Sequence, residues 1–212
     1  MGNVIAIDGP AGAGKSTIAR RVADKLGYIY IDTGAMYRAV ALWALREKVE
    51  LSDAHRLEQL ALAADIRLLP ESKVILNDED VSTAIRTPEV SAGASKVAAI
   101  GLVRAALVAR QRLIAETASV VMEGRDIGTV VFPNARVKIF LDADVNERVR
   151  RRVGEPAAEL AARDERDRGR AESPLVQAPD AVYLDSTGLS EDEVEAAILK
   201  LVRARISNGK EQ

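Results

Sequence analysis

An α/β fold, a five-stranded parallel sheet with helices on both faces and a small antiparallel insert, is what this sequence predicts. Three observations carry the prediction. Short apolar runs alternate with helix-length stretches along most of the chain. The first apolar run leads directly into Gly9-Pro10-Ala11-Gly12-Ala13-Gly14-Lys15-Ser16-Thr17, a complete Gly-x-x-x-x-Gly-Lys-Ser phosphate-binding loop, and then into a helical stretch. Between residues 65 and 87 the alternation gives way to short strand-like pieces separated by turn residues. Alternating β and α elements imply a parallel sheet covered by helices, because parallel neighbours need crossover connections.

The strands expected are Val4–Ile7, Tyr28–Ile31, Val120–Met122, Val137–Leu141 and Ala181–Leu184, each short and apolar as doubly covered strands are. Helices are expected at Thr17–Lys25, Ala35–Glu47, Gly101–Glu116, Asn146–Val153 and Glu191–Ile206. The last opens with Ser190-Glu191-Asp192-Glu193, which fits a capping box with Ser190 as N-cap. In the insert, Pro70-Glu71-Ser72 and Asn77-Asp78-Glu79-Asp80 mark turns between about three antiparallel strands. Residues 207–212 read as a polar tail.

The chain has 212 residues, enough to bury a core without staples, and contains no cysteine. Disulfide frameworks, cysteine–zinc sites and thiol nucleophiles are thereby excluded. Net charge is −2, so no global basic field points to nucleic acid, and aromatics at 3% leave no set of stacking platforms. With no apolar run near the length of a membrane span, a cytoplasmic protein that engages neither membrane nor nucleic acid is expected. Positive charge is local, with eight arginines between Arg148 and Arg170.

The loop's chemistry follows from its residue types. Glycines let backbone approach phosphate without a Cβ clash, and N–H groups at the helix start point at the anion. Gly9, Pro10, Ala11, Gly12, Ala13, Gly14, Lys15, Ser16 and Thr17 are thus the expected ATP-binding set. Lys15 would reach the β/γ-phosphates and the Ser16 hydroxyl Mg²⁺.

Three further motifs follow strands or lie in the arginine-rich stretch. Asp32-Thr33-Gly34-Ala35-Met36-Tyr37-Arg38 follows the second strand, at the strand end where α/β sheets bind ligands; helix capping by Asp32 or Thr33 is the plainer reading. Glu123-Gly124-Arg125-Asp126-Ile127-Gly128 follows the third strand. Glu123 stands where phosphate-loop proteins keep an acidic group near the metal, acting through water. Arg163-Asp164-Glu165-Arg166-Asp167-Arg168-Gly169-Arg170 would place Arg163, Asp167 and Arg170 on one helix face. Asp164, Glu165 and Arg168 are read as a solvated, ion-paired surface. Trp43 is read as partly buried packing, and His55, the only histidine, as surface.

Together these segments, with Val137 to Ala143 and the run from Arg163 to Leu175, resemble the bacterial cytidylate kinases, the CMP branch of the nucleoside monophosphate kinases, over nearly the whole chain. The resemblance implies the P-loop nucleotide kinase fold. It implies a single domain over 1–212, with a monophosphate-binding insert at 65–93 and a short lid at 148–163. It implies direct, Mg²⁺-assisted transfer of the ATP γ-phosphate to CMP or dCMP by a monomer. Carried over by motif, Thr33, Arg38, Ser95, Arg104, Arg125, Asp126, Arg163, Asp167 and Arg170 match positions around the acceptor nucleotide. Lys15, Arg125, Arg148 and Arg152 are the expected catalytic cations, and Ser16 with Glu123 the metal side. The segment Val153 to Ala162 is shorter than in the family, so among the lid arginines Arg148 and Arg152 are expected at ATP, with Arg150 and Arg151 in solvent. Ser16 stands where some relatives carry glycine, which leaves the metal hydroxyl to Ser16 or Thr17. A small-molecule kinase of another kind, or a phosphate-loop module without turnover, fits less well, because the chain carries Arg125-Asp126, the insert and its own acceptor-site arginines.

Overall fold

The computed structural model describes residues 2–152 and 156–207. In chain order, besides 3-10 turns at Pro70–Ser72 and Ala84–Arg86 and a π turn at Ile127–Val131, the elements are β1 Val4–Asp8, α1 Lys15–Leu26, β2 Ile29–Asp32, α2 Thr33–Arg46, α3 Ala54–Ala63, β3 Ile66–Leu68, β4 Val74–Leu76, β5 Glu79–Asp80, α4 Pro88–Val97, α5 Gly101–Thr117, β6 Val120–Gly124, β7 Val137–Asp142, α6 Val145–Arg151, α7 Ala157–Arg168, β8 Val182–Asp185 and α8 Glu191–Ser207. All five expected strands form one sheet, ordered β2-β6-β1-β7-β8. β1 pairs parallel with β6 and β7, and β7 parallel with β8. The chain divides into two compact units, 1–31 with 114–212, and 32–113.

The first unit holds the sheet. Alternate residues Ile5 and Ile7 of β1 and Val137, Ile139 and Leu141 of β7 face one core, as the period of two in a strand requires. Ile18, Ala19, Val22 and Ala23 of α1 cover them, with Val194, Ile198 and Val202 of α8 at helical spacing. Ser190 caps α8 as expected: its Oγ accepts from Glu193 N at 3.3 Å, while Glu193 Oε2 accepts from Ser190 N at 2.9 Å. Arg21 on α1 ties α8 down through Glu191 at 3.0 Å and Glu195 at 2.5 Å. Asn146–Val153 was expected as one helix; α6 ends at Arg151, and Val153, like the lid residues 153–155, lies outside the described residues, as does the tail from 208.

Gly9 joins β1 to the loop at φ 149°, where an added Cβ would stand 1.9 Å from the Leu141 carbonyl oxygen on the neighbouring strand. Relief would require separating two paired strands. Gly9→Ala is therefore expected to destabilise the protein by about 3 kcal/mol or more, read from the urea denaturation midpoint.

The second unit has its own core, and the three-stranded antiparallel insert lies in it, ordered β3-β4-β5. The turn signal at Asn77-Asp78 holds: both residues have positive φ, 49° and 67°, the geometry of a two-residue hairpin turn. Two helices here went unread. α3 starts at Asp53, whose Oδ1 accepts from Arg56 N at 3.0 Å, and α4 starts at Thr87-Pro88, with Thr87 Oγ1 accepting from Val90 N at 3.3 Å. α2 is rich in alanine on its buried side, with Ala35, Ala39, Ala41 and Ala44 inside. Gly93 of α4 faces it, and a Cβ there would lie in ordinary contact, 3.6 Å from Ala41 Cβ. Trp43 packs partly buried against this core, and His55 is exposed. Among the described residues no single helix is long and apolar enough to cross a membrane.

Candidate active site

The phosphate loop leaves β1 at Gly9 and enters α1 at Lys15, with Gly14 in the left-handed conformation as N-cap. Lys15 is buried, and its ammonium donates to the Pro10 carbonyl oxygen at 2.7 Å. Burial pulls its pKa down to about 7, helped by the nearby Arg125 guanidinium and opposed by Glu123 and Asp8. Ser16 Oγ donates to Glu123 Oε1, which also accepts from Tyr30 Oη at 3.1 Å. The pairing arises from register, since Ile7 of β1 lies beside Glu123 of β6. Of the two hydroxyls considered for the metal, it is Ser16 that touches the acidic residue.

This hydroxyl–carboxylate pair suits a hard cation that keeps several waters and phosphate oxygens while taking one or two protein oxygens. Among the described residues no group of three or more His, Cys, Asp or Glu could hold a metal by itself. The donor set therefore fits Mg²⁺ carried with a nucleotide better than a caged metal.

At the end of β6, Arg125 Nε donates to Asp167 Oδ2 at 2.8 Å, and Arg170 donates to the other oxygen, Oδ1. Burial works against the Asp167 charge, yet these guanidiniums hold its carboxyl below the usual range. The expected three-residue helix face is corrected: Arg163 and Asp167 lie on α7, but the helix ends at Arg168, and Arg170 reaches Asp167 from beyond its Gly169 cap. Arg163 stands part-buried on α7, and Asp126 is buried just after Arg125.

Asp164 is corrected. It does not belong to a solvated face; it is buried, accepts from the Ala11 amide at 3.4 Å and pairs with Arg148 Nη1 at 2.5 Å. Glu165 and Arg168 are exposed, as expected. Arg148 also donates to the Ala11 carbonyl at 3.0 Å and the Ala143 carbonyl at 3.1 Å, so it braces the phosphate loop's own backbone. Arg150 is solvated, but Arg151 is not: its guanidinium donates to Ala13 O at 3.4 Å and to Ser186 Oγ at 2.9 Å. Arg152 follows the last turn of α6, part-buried.

In the second unit, Asp32 caps α2 through Ala35 N at 2.9 Å and pairs with Arg38 at 2.7 Å. Burial opposes the Asp32 charge, but Arg38 holds its carboxyl below the usual range. Thr33 is buried in the first turn. Ser95 is buried on α4 with its hydroxyl lacking a hydrogen-bond partner, and Arg38 Nε is likewise unsatisfied. Arg104 donates to Ala98 O at 3.1 Å and lies over the Tyr37 ring at 5.4 Å. Asp8, Tyr30 and Ser186 went unread, while Asp164 and Arg151 were read as solvated; for Tyr30 and Asp8 the available signal was a polar residue within or closing a buried strand.

Known proteins agree with this architecture. Two solved structures, TT1252 from Thermus thermophilus (22% identity, TM-score 0.52, 96% of this chain and 97% of that one) and a gluconokinase from Sinorhizobium meliloti (16%, 0.53, 100% and 97%), share the fold. A cytidylate kinase from Solibacter usitatus is 64% identical over 98% of this chain and 95% of its own length. One from Desulforamulus reducens is 53% identical over 93% and 96%. The sequence profile described as cytidylate kinase matches residues 5–204. The chain therefore belongs to the cytidylate kinase family of phosphotransferases.

Proposed function

We infer that the protein transfers the γ-phosphate of ATP to CMP and dCMP, giving CDP and dCDP in pyrimidine nucleotide metabolism. The observation that carries this reading is that the end of β6 joins both halves of such a site: Glu123 accepts from Ser16 Oγ of the phosphate loop, and Arg125, whose charge also bears on Lys15, donates to Asp167 Oδ2 at 2.8 Å. Two cations thus act together where the phosphate chains of donor and acceptor would meet. Phosphoryl transfer passes through a loose transition state, so positioning and charge neutralisation dominate and no strong base is required.

On the donor side, Gly9 to Thr17 wrap the triphosphate and Lys15 holds the group that is transferred. Ser16, and Glu123 through water, would hold Mg²⁺, which would supply positive charge to neutralise the phosphate oxygens. Arg148 shapes the loop through Ala11, and Arg152 neutralises charge from the lid at 148–163, which excludes water. On the acceptor side, Arg38, Arg104, Arg125, Arg163 and Arg170 serve the phosphate and its surroundings, since a guanidinium fork donates two parallel hydrogen bonds. Asp126 accepts from the cytosine N4 amino group. Asp167, with each oxygen already held by an arginine, serves the ribose. Thr33 and Ser95 complete the set; the unsatisfied Ser95 hydroxyl supports this, because buried polar groups without partners are rare. We further propose that the protein works as a cytoplasmic monomer without nucleic-acid or membrane partners, and that 65–93 is the monophosphate-binding region of a single catalytic domain.

A coupled assay of ADP release across CMP, dCMP, UMP, AMP and GMP tests the reading. CMP and dCMP are expected to give the highest kcat/KM. A preference for AMP or GMP would overturn it.

A further inference from the structure

Asp8 closes β1, the middle strand, and is buried. Its Oδ1 accepts from Ile127 N at 2.8 Å and its Oδ2 from Gly128 N at 2.7 Å. Those amides open the single π turn Ile127–Val131, in which Phe132 N donates to Ile127 O at 2.7 Å. The first N–H groups of any helical turn lack partners within it. Normally the residue at the N-cap supplies one, and aspartate is among the best at doing so. Here Asp126 occupies that position but makes no capping hydrogen bond. The cap comes instead from a residue 119 and 120 positions away.

Two details show that the arrangement is built. A Cβ on Gly128 would stand 3.3 Å from Asp8 Oδ2 and 3.2 Å from Lys138 Cδ, so the residue at 128 is small where the carboxylate approaches. Asp8 is also an expensive group to keep: burial pushes its carboxyl up to about 6, with the two amides opposing and Asp126 adding to the rise. An apolar side chain at the end of a central strand would avoid that cost but leave both amides without an acceptor.

We propose that Asp8 is a positioning residue for acceptor recognition: by capping the 127–131 turn from the central strand, it fixes the backbone at Asp126 and with it the place of the Asp126 side chain. The inference rests on the reading of Asp126 as the cytosine contact. Steady-state kinetics with CMP and ATP varied separately test it on Asp8→Asn, Asp126→Ala and the double variant. Asparagine keeps the shape but turns an N–H₂ group on one of the two amides.

For Asp8→Asn the KM for CMP is expected to rise about tenfold, with the KM for ATP within about twofold of wild type. Added to Asp126→Ala, the same change is expected to alter the KM for CMP by less than about twofold, because both act through one contact. Equal effects on CMP and ATP, or a full tenfold effect persisting in the double variant, would mark Asp8 as merely structural and overturn the proposal. An Asp126→Ala variant with an unchanged KM for CMP would sink the cytosine contact and the inference with it. If Asp126→Ala responds while Asp8→Asn does not, only the inference falls. Should Asp8→Asn fail to fold, Gly128→Ala presses on the same carboxylate from the turn and is expected to raise the KM for CMP selectively; unchanged constants there would also overturn it.

Discussion

Replacing Lys15 with methionine is expected to abolish turnover and, at neutral pH, to make the unliganded protein more stable. Both effects have one cause. The ammonium is buried with the Pro10 carbonyl as its hydrogen-bond acceptor, and its pKa falls to about 7 from an ordinary 10.5. Between those values the unfolded chain holds the proton more tightly than the folded one, so the group destabilises the fold at neutral pH. As pH rises toward 10.5 the unfolded chain also loses its proton and the penalty disappears. Wild type should thus gain stability relative to Lys15→Met between pH 7 and 10. The variant's advantage is expected to be on the order of 1–3 kcal/mol at pH 7, after the loss of the Pro10 bond, and to shrink toward pH 10, as read from urea midpoints. Turnover should fall by at least ~10³-fold, because the transferred phosphoryl group loses a preorganised cation. A Lys15→Met variant that still turns over would remove the phosphate loop from the mechanism. One that is less stable at pH 7 would mean the buried charge is better compensated than the neighbouring arginine allows.

Asp126→Ala carries the second large effect. The proposed contact is a hydrogen bond from a neutral amino group to a buried carboxylate, and such bonds contribute about 1.5–3 kcal/mol. Its loss should raise the CMP requirement by roughly 10- to 150-fold. ATP should be affected by less than about threefold. The preference for CMP over UMP should narrow, because uracil offers a carbonyl where cytosine offers a donor. Separate titrations of CMP, UMP and ATP in the same variant check all three. Equal losses for CMP and ATP would mean that Asp126 supports the site as a whole instead of reading the base.

Residues whose place is set by local order were legible in the sequence. Lys15 and Ser16 follow from the spacing of one loop, and the place of Glu123 follows from a strand end. The five strands announced themselves as apolar runs, and Asn77-Asp78 as a turn. What stayed hidden depends on partners far along the chain. Asp164 sits in a run of alternating charges, which on most helices is a solvated face; nothing nearby reveals that its partners are Arg148 and the Ala11 amide. Arg151 was left to solvent because the segment after it is short, yet it binds Ala13 and Ser186. Asp8 reads as the polar end of a strand until its partners at 127 and 128 are known. α3 escaped because it is only ten residues long and its apolar residues do not keep to the buried face of Leu57, Leu60 and Ala61: Leu62 beside them is exposed.

The alanine-lined contact between α2 and α4 has a consequence for how the second unit can vary. Its helices approach closely because the side chains between them are already near the minimum, with Gly93 against Ala41 and few aromatics in the whole chain. Shortening an alanine to glycine removes one methyl group and some helix propensity. Enlarging it must displace a neighbour, since even a Cβ at Gly93 would lie 3.3 Å from Leu51 Cδ1, and overpacking of this kind typically costs about 1–3 kcal/mol. Sequence drift at this seam is bounded from above by steric volume: relatives can exchange one small residue for another there, but growth on one helix requires a matching retreat on the other.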